Sequence, residues 1–284
     1  RDNRRKAKET LDVFDQGSIG VDTSHRDQEW GGFTTDPRHH DQHKKDFRYL
    51  VHGFRGNPTR LMDPGQFESM FVSTSLLDSK HTGTFFPSGV ILDVPPGCIV
   101  AAAPGDLGVG NRSVESGSDA LATDLQQANT KSRTLVETAI KVKEAKKLFR
   151  WRRLKQPKSH KEMKRLNKRT RKALAKPKYA RHGFGDKIMS PEQVLKYTPK
   201  NNHNEIGALG STPGGDKVRV IGFFVIVHSK RDERRVAARE QPESLSPEQW
   251  GIILAAADRL GHPIVPIIYD PSKHGELKGT GDNI

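Results

Sequence analysis

The sequence Phe-Val-Ser-Thr-Ser at residues 71–75 joins two apolar residues to three small hydroxyl side chains, a composition typical of a short strand. A second stretch, Asn-Glu-Ile-Gly-Ala-Leu-Gly at residues 204–210, predicts a strand over Ile206–Leu209 with Glu205 at its start. Upstream of both, Phe47–Gly53 predicts a strand that ends in Tyr-Leu-Val-His-Gly. These three strands place polar, chemically useful side chains next to apolar ones that can be buried.

Four more strands are predicted around these three, and together they make the core rich in strands. Pro-Pro-Gly at 95–97 separates Gly89–Val94 from Cys98–Ala103, so these two segments are predicted to be strands joined by a turn. Val218–Val227 is an almost continuous apolar run, which favours a strand buried on both faces. Ile264–Tyr269 is predicted to be the last strand.

The same four-residue sequence predicts the start of two helices. Ser-Pro-Glu-Gln stands at 190–193 and again at 246–249, where Ser can cap the helix, Pro suits the first turn and Gln closes a capping box. The second helix is predicted to end at Leu260, because Gly261 suits the position after a helix and Pro263 prevents continuation. The fold class predicted from this order of elements is α+β.

The charge of the chain is concentrated in one segment. The formal net charge is +14, but residues 141–182 hold 19 Lys and Arg and two acidic residues, so the remainder is slightly acidic. We therefore predict a polar, loosely packed N-terminal arm at 1–45 and a domain at 46–284 that carries a helical, strongly basic insertion at about 118–182.

The basic insertion predicts contact with a polyanion, because so many like charges cost stability unless a partner neutralises them. Nucleic acid, ribosome-bound material and an anionic membrane all qualify, although the weak apolar stripe of residues 160–176 argues against deep membrane insertion. A solvated helical hairpin and a site for an acidic protein remain open. The candidate contact residues are Lys147, Arg150, Trp151, Arg152, Arg153, Lys164, Arg165, Lys168 and Arg169.

Cysteine, histidine and hydropathy patterns exclude several classes of protein. The single cysteine, Cys98, rules out an internal disulfide and lies in an apolar stretch, which predicts a buried thiol in a chain that suits a reducing compartment. The histidine cluster at 39–43 lacks spaced partner ligands, so we predict a solvated linker and no metal site. No stretch approaches the roughly 18 consecutive apolar residues of a transmembrane segment.

In this order, His-Gly at 52–53, Ser-Thr-Ser at 73–75 and Glu205 resemble the three-part signature of mono-ADP-ribosyltransferases. These enzymes cleave NAD, release nicotinamide and transfer ADP-ribose to a target. The resemblance covers about 46–103 and 186–228. It implies a split β-sheet core of the ADP-ribosyltransferase type, NAD as co-substrate and a macromolecular target, either protein or RNA or DNA.

A single carboxylate can serve this reaction. Breaking the bond between nicotinamide and ribose gives the sugar oxocarbenium character, and nicotinamide leaves as a neutral ring that needs little acid assistance. The resemblance implies that Glu205 is the catalytic carboxylate, at the 2′-hydroxyl of the nicotinamide ribose, and that the Ser73 hydroxyl holds it. It also implies that Thr74 and Ser75 shape the nicotinamide pocket and that the Gly53 backbone binds the nicotinamide amide.

The first position of the signature is the residue that grips NAD. In one branch of the family it is an arginine at the phosphates, and in another it is a histidine, followed by glycine, at the ribose. Here His52 occupies the place, with Arg48 on the same face of the strand and Arg55 just beyond the strand's end. We expect His52 at the ribose and Arg55 or Arg48 near phosphate.

The loop before the catalytic glutamate is where the family recognises its target, which implies that role for His203 and Asn204. Two residues before the glutamate, the family has Glu in the branch that modifies arginine and Gln in branches that modify asparagine, cysteine or guanine bases. His203 matches neither, so the resemblance implies no particular target. His203 could act as a base on the incoming nucleophile.

Two other functions fit the same sequence. One is a plain NAD glycohydrolase, whose acceptor is water. The other is a non-enzymatic nucleic-acid-binding protein on a strand-rich scaffold, in which the order of the motifs is a coincidence. If the transferase interpretation holds, the family implies a toxin, an effector or a phage-delivered enzyme that acts in a cytosol after delivery.

Overall fold

The computed structural model describes residues 25–40, 47–54, 67, 71–82, 84, 86–105, 188–198, 203–212 and 214–269. These residues form one mostly antiparallel sheet of seven strands with four α-helices. The strands are β1 (Arg48–Gly53), β2 (Phe71–Asp78), β3 (Ser88–Asp93), β4 (Ile99–Ala103), β5 (Glu205–Leu209), β6 (Arg219–Val227) and β7 (Ile264–Ile268). The helices are α1 (Arg26–Trp30), α2 (Pro191–Tyr197), α3 (Lys230–Ala237) and α4 (Pro247–Leu260).

The strand order across the sheet is β4-β5-β2-β1-β3-β6-β7, and only β6 and β7 run parallel among these neighbours. Helices α3 and α4 lie between β6 and β7 in the chain, as a parallel pair requires a crossover connection. The predicted mixture of helices and strands is confirmed, and the sheet is mostly antiparallel.

Strand β2 changes its partner halfway along its length. Its first half pairs with β5, from Phe71 opposite Leu209 to Thr74 opposite Ile206. Its second half pairs with β1, from Ser75 opposite Val51 to Asp78 opposite Arg48. The sheet therefore divides at β2, with β4 and β5 on one side of the division and the other strands on the opposite side.

The two faces of the sheet carry separate apolar clusters, because side chains alternate along each strand. In β1, Leu50 joins the larger cluster, while Tyr49 and Val51 belong to the smaller one. Helix α4 covers the larger cluster with Trp250 and Ile253, which are both buried. Strand β6 contributes to both clusters, as predicted for a strand buried on both faces.

The predicted capping boxes are confirmed at both helices. Ser190 caps α2 and Ser246 caps α4, and in each case Gln at the third helical position bonds back to the serine backbone. Gly261 follows α4 in the left-handed conformation, with φ of 63°, as predicted for a residue that ends a helix. Helix α3 was not predicted, because its sequence Lys-Arg-Asp-Glu-Arg-Arg-Val-Ala lacks an apolar stripe.

The predicted arm is described over residues 25–40, and the expectation of loose packing is wrong for this part. Trp30 is buried in the larger cluster, and its indole Nε1 donates a hydrogen bond to the Met189 carbonyl at 3.0 Å. Thr35 bonds the backbone of Arg48 through its own backbone and side chain. An apolar Trp in a polar segment was the available signal, and the prediction did not use it.

The basic insertion predicted at about 118–182 lies outside the described residues, so its helices stay a prediction. Within the described part of the chain, no helix is both long enough and apolar enough to span a membrane.

Two glycines should respond oppositely to alanine. A Cβ at Gly89 would lie 2.1 Å from the His52 carbonyl oxygen and 2.9 Å from the Gly53 Cα, so the backbone of β1 would have to move. Gly251 is exposed within α4, and a Cβ there would meet nothing within 4 Å. We expect Gly89→Ala to lower the free energy of unfolding by about 1–3 kcal/mol and Gly251→Ala to raise it by about 0.5–1 kcal/mol. Urea unfolding of both variants measures this; equal effects would contradict the packing described at Gly89.

Candidate active site

Ser73 and Glu205 are in contact where the sheet divides. Glu205 is the first residue of β5, and Ser73 lies in the half of β2 that pairs with β5. The Ser73 hydroxyl donates to Glu205 Oε1 at 2.7 Å, and Glu205 is only 6% exposed. A hydroxyl that donates to a carboxylate both stabilises its charge and fixes its orientation. The two residues predicted to be catalytic are therefore brought together.

The positions paired with the start of β5 carry small side chains. Ala103 of β4 is opposite Glu205, and Ala101 is opposite Gly207. Gly207 is also opposite Ser73, and a Cβ on it would lie 2.6 Å from the ring of Phe71. Residues opposite each other share a face of the sheet, so the strands flanking the carboxylate present Ala, Gly and Ser on its side.

His52 binds the same serine from the other side of the division. Its Nδ1 lies 2.7 Å from the Ser73 carbonyl oxygen. A carbonyl can only accept, so Nδ1 carries the hydrogen and Nε2 is left as the acceptor. The ladder between β1 and β2 extends only to Val51 opposite Ser75, and the imidazole therefore bonds a backbone carbonyl beyond its end.

Burial lowers the pKa of His52 below its usual range, and the hydrogen bond to the Ser73 carbonyl opposes this only in part. Its ring also lies edge-on to Phe67, with 5.7 Å between ring centroids. His52 is therefore neutral at pH 7, with a protonated Nδ1 and an acceptor at Nε2.

The space beside Gly53 is occupied by the side chain of Phe86. A Cβ at Gly53 would lie 2.0 Å from Cδ2 of Phe86, so the phenyl ring rests directly against the glycine backbone. The resemblance had implied that nicotinamide makes this close approach. Phe86 is half-buried and was not predicted as a site residue, because an aromatic residue in a connecting segment carries no motif.

The structure gives Thr74 and Asn204 other surroundings than the resemblance implied. The Thr74 hydroxyl donates to the Ile206 carbonyl at 3.0 Å, and the Asn204 amide bonds the Leu76 backbone. Both side chains are almost completely buried, which is inconsistent with a nicotinamide-pocket wall or a target contact. His203 is buried as well, at 8% exposure, whereas Ser75 is half-buried.

Arg48 is not brought to His52. It stands four residues earlier in β1, which corresponds to about 13 Å along a strand. Its guanidinium bonds Glu192 at 3.2 Å and lies 5.2 Å from the centroid of the Phe33 ring. Arg48 is therefore engaged at the opposite end of β1, and the prediction that it lies near the NAD phosphates is not supported by this position.

Several predicted site residues lie outside the described part of the chain. These are Arg55 and the polyanion candidates Lys147, Arg150, Trp151, Arg152, Arg153, Lys164, Arg165, Lys168 and Arg169. Among the residues that are described, no group of three or more His, Cys, Asp or Glu side chains could hold a metal ion. Cys98 is buried, and burial raises the pKa of its thiol to about 12, which makes it a poor nucleophile.

Comparisons of the chain with protein-family models, curated proteins and solved structures found no match. The site is therefore characterised by its own geometry.

The lowered pKa of His52 predicts a component of acid sensitivity. Below pH 6.5, the unfolded state protonates this histidine before the folded state does, so the free energy of unfolding falls as the pH falls. In His52→Gln this component is absent, while the other titrating groups are retained. We expect the stability difference, wild type minus variant, to decrease as the pH is lowered from 7 to 4.5, by at most about 1.4 kcal/mol per pH unit. Guanidinium unfolding at a series of pH values measures it, and a difference independent of pH would show that His52 is not held neutral.

Proposed function

We propose that this chain is an NAD-dependent mono-ADP-ribosyltransferase, which cleaves NAD, releases nicotinamide and passes ADP-ribose to a macromolecular target. The observation that carries the proposal is the 2.7 Å bond from Ser73 to Glu205. Those two residues are far apart in sequence and come from two elements of the signature that the sequence resembles. His52, from the third element, is bonded to the same serine.

The proposed role of Glu205 follows from its charge and its burial. As nicotinamide leaves, positive charge develops on the ribose, and a fixed carboxylate beside the sugar stabilises that charge. A site with little water makes such an interaction stronger than it would be in solution. Ser73 would contribute by holding the carboxylate in one orientation, so that less reorganisation accompanies the reaction.

The proposed role of His52 follows from its protonation. A neutral imidazole whose Nε2 is an acceptor can receive a hydrogen bond from a ribose hydroxyl. The Nδ1 bond to Ser73 would hold the ring in one tautomer and one orientation. This supports the assignment of His52 to the ribose rather than to a phosphate, where a cation would be expected.

The division of the sheet also supports the proposal. A split β-sheet core is what the resemblance implies, and β2 is the strand at which this sheet divides. Ser73 lies on that strand and Glu205 begins the strand next to it, so all three signature elements converge on the division.

An NAD glycohydrolase would use the same site with water as the acceptor. The basic segment at 141–182 favours a transferase with a polyanionic target or docking partner, because its 19 Lys and Arg serve no step of NAD cleavage. Nucleic acid, or a protein bound to it, is the partner class we propose. A toxin or effector acting in a cytosol is the accompanying biological context.

Replacing Glu205 by Gln should remove the charge while keeping the size of the side chain. We expect nicotinamide release from NAD to fall by about 10²–10³-fold or more, with folding intact. Glu248→Gln, an exposed carboxylate at the start of α4, is the matched control and should retain wild-type turnover. Activity in Glu205→Gln equal to wild type would contradict the catalytic role.

The acceptor can be identified in the same samples. NAD labelled in its adenylate moiety is incubated with the protein in a cell lysate, and labelled products are digested separately with protease and nuclease. Label in protein or nucleic acid that depends on Glu205 would support the transferase. Nicotinamide release without label transfer would identify a glycohydrolase. The absence of both nicotinamide release and label transfer would overturn the proposal.

The basic segment can be tested apart from the site. Replacing Arg150, Arg152 and Arg153 together by Gln in the full chain should weaken RNA or DNA binding and reduce the salt dependence by about two to three released counterions. NAD cleavage with water as acceptor should be unchanged. Filter binding over a range of salt concentrations measures this, and an unaltered salt slope would exclude these arginines as phosphate contacts.

A further inference from the structure

We infer that Asn204 is a positioning residue for Glu205, and that Thr74 acts with it as the second half of one clamp. The inference rests on the proposed function, because it assigns a role within the same site. Both side chains bind backbone groups on the neighbouring strand, and they do so on either side of Glu205. Neither is placed to touch NAD or a target.

Asn204 extends the pairing of β5 with β2 by using its side chain. The backbone pairing of β2 with β5 reaches Thr74 opposite Ile206, and Leu76 lies two residues further along β2. Asn204 Oδ1 accepts from the Leu76 amide at 2.6 Å, and its Nδ2 donates to the Leu76 carbonyl at 2.8 Å. One carboxamide thereby satisfies both backbone groups of Leu76, as a paired residue in an antiparallel sheet would.

Thr74 supplies the bond on the other side of Glu205. Its hydroxyl donates to the Ile206 carbonyl at 3.0 Å. The residues before and after Glu205 are thus both tied to β2 by side-chain hydrogen bonds. Ser73, which holds the carboxylate itself, directly precedes Thr74 in the same strand.

Burial makes this clamp effective. Asn204 is 1% exposed and Thr74 is 2% exposed, so water cannot readily replace a lost partner. A buried backbone group left without a partner carries its full desolvation cost, which favours the clamped arrangement over alternatives. Glu205 pairs with Ala103 of β4 on one side, and the clamp fixes the residues on either side of it to β2, within reach of the Ser73 hydroxyl.

The chemistry of Leu76 restricts what can stand at position 204. Its amide needs an acceptor and its carbonyl needs a donor, and a carboxamide offers one of each. Aspartate has the same size, but an ionised carboxylate offers no donor and sets negative charge against the Leu76 carbonyl. Asparagine is consequently the side chain of that size which satisfies both groups.

The clamp should affect the rate of the reaction rather than the affinity for NAD. Small misplacements of a reacting group reduce rates by about 10²-fold, even where binding contacts are kept. We expect Asn204→Ala and Asn204→Asp each to lower kcat for nicotinamide release by about 10²-fold, with KM for NAD changed by less than about twofold. Thr74→Val keeps the shape but loses the hydroxyl, and should lower kcat by about tenfold, whereas Thr74→Ser should recover most of the rate.

The control must separate positioning from general destabilisation. Ser246→Ala removes a hydrogen-bonded cap from α4, away from the site, and should lower the melting temperature without lowering kcat. Melting temperatures of all variants, and NAD affinity by calorimetry, are measured beside kcat and KM. If Asn204→Ala does not fold, the isosteric Thr74→Val and the hydroxyl-retaining Thr74→Ser still test whether the clamp positions Glu205.

The outcomes distinguish this inference from the function on which it rests. Suppose that the wild-type chain turns over NAD, that Glu205→Gln loses this activity, and that the Asn204 and Thr74 variants keep a normal kcat. This result would overturn the clamp and leave the proposed function standing. A rise in KM or loss of NAD affinity at constant kcat would also overturn it, because it would show ligand contact. Absence of NAD turnover in the wild-type chain would overturn both.

Discussion

The change of partner along β2 is the constraint on which the rest of this structure depends. A strand that pairs with β5 through one half and with β1 through the other must leave backbone groups unpaired where the two ladders meet. Two side chains bond backbone groups of β2 there, His52 at the Ser73 carbonyl and Asn204 at Leu76, and Thr74 adds a bond to the Ile206 carbonyl at the end of the β2–β5 ladder. Polar chemistry is therefore concentrated at the division because the sheet needs it there, whatever reaction the site performs.

This requirement also explains how a carboxylate can be held in a largely buried position. The same backbone bonds that complete the sheet bring Glu205 beside the Ser73 hydroxyl, and a charge in such a place needs a donor. On that side of the strands the paired positions 101 and 103 are alanines, and the ring of Phe71 packs against Gly207. The same contacts hold the sheet together and position the site. Substitutions that weaken the clamp should therefore lower the proposed activity before they lower the stability of the apolar core.

The sequence predicted the strands and helices better than it predicted which partners the individual polar side chains bind. Strands and capping boxes follow from local composition and spacing, so most bounds agreed within a few residues, as for β3 and α4. Strand order and the partner change in β2 depend on distant contacts that no local pattern contains. Helix α3 does have local signals, a Ser229 cap with acidic residues in its first turn and basic ones in its last, but it lacks the apolar stripe on which the prediction relied. Thr74 and Asn204 illustrate the limit: a motif identified them as neighbours of a site, but only the register shows that their side chains bind backbone. Arg48 was assigned by its face alone, and its distance along β1 from His52 separates it from the site.

The neutral histidine has a consequence for the electrostatics of the site. An arginine bonded to the Ser73 carbonyl would bring a permanent positive charge towards Glu205. That cation would partly neutralise the electrostatic field of the carboxylate. His52 satisfies the same carbonyl without a charge, because its burial keeps the imidazole neutral. Under the proposed function, the field of Glu205 would in this respect be undiminished at the sugar, where positive charge would develop as nicotinamide leaves. For the proposed reaction, a histidine at this position is thus better suited than an arginine to orient a ribose beside a single carboxylate, and cations elsewhere in the chain would then have to bind the phosphates.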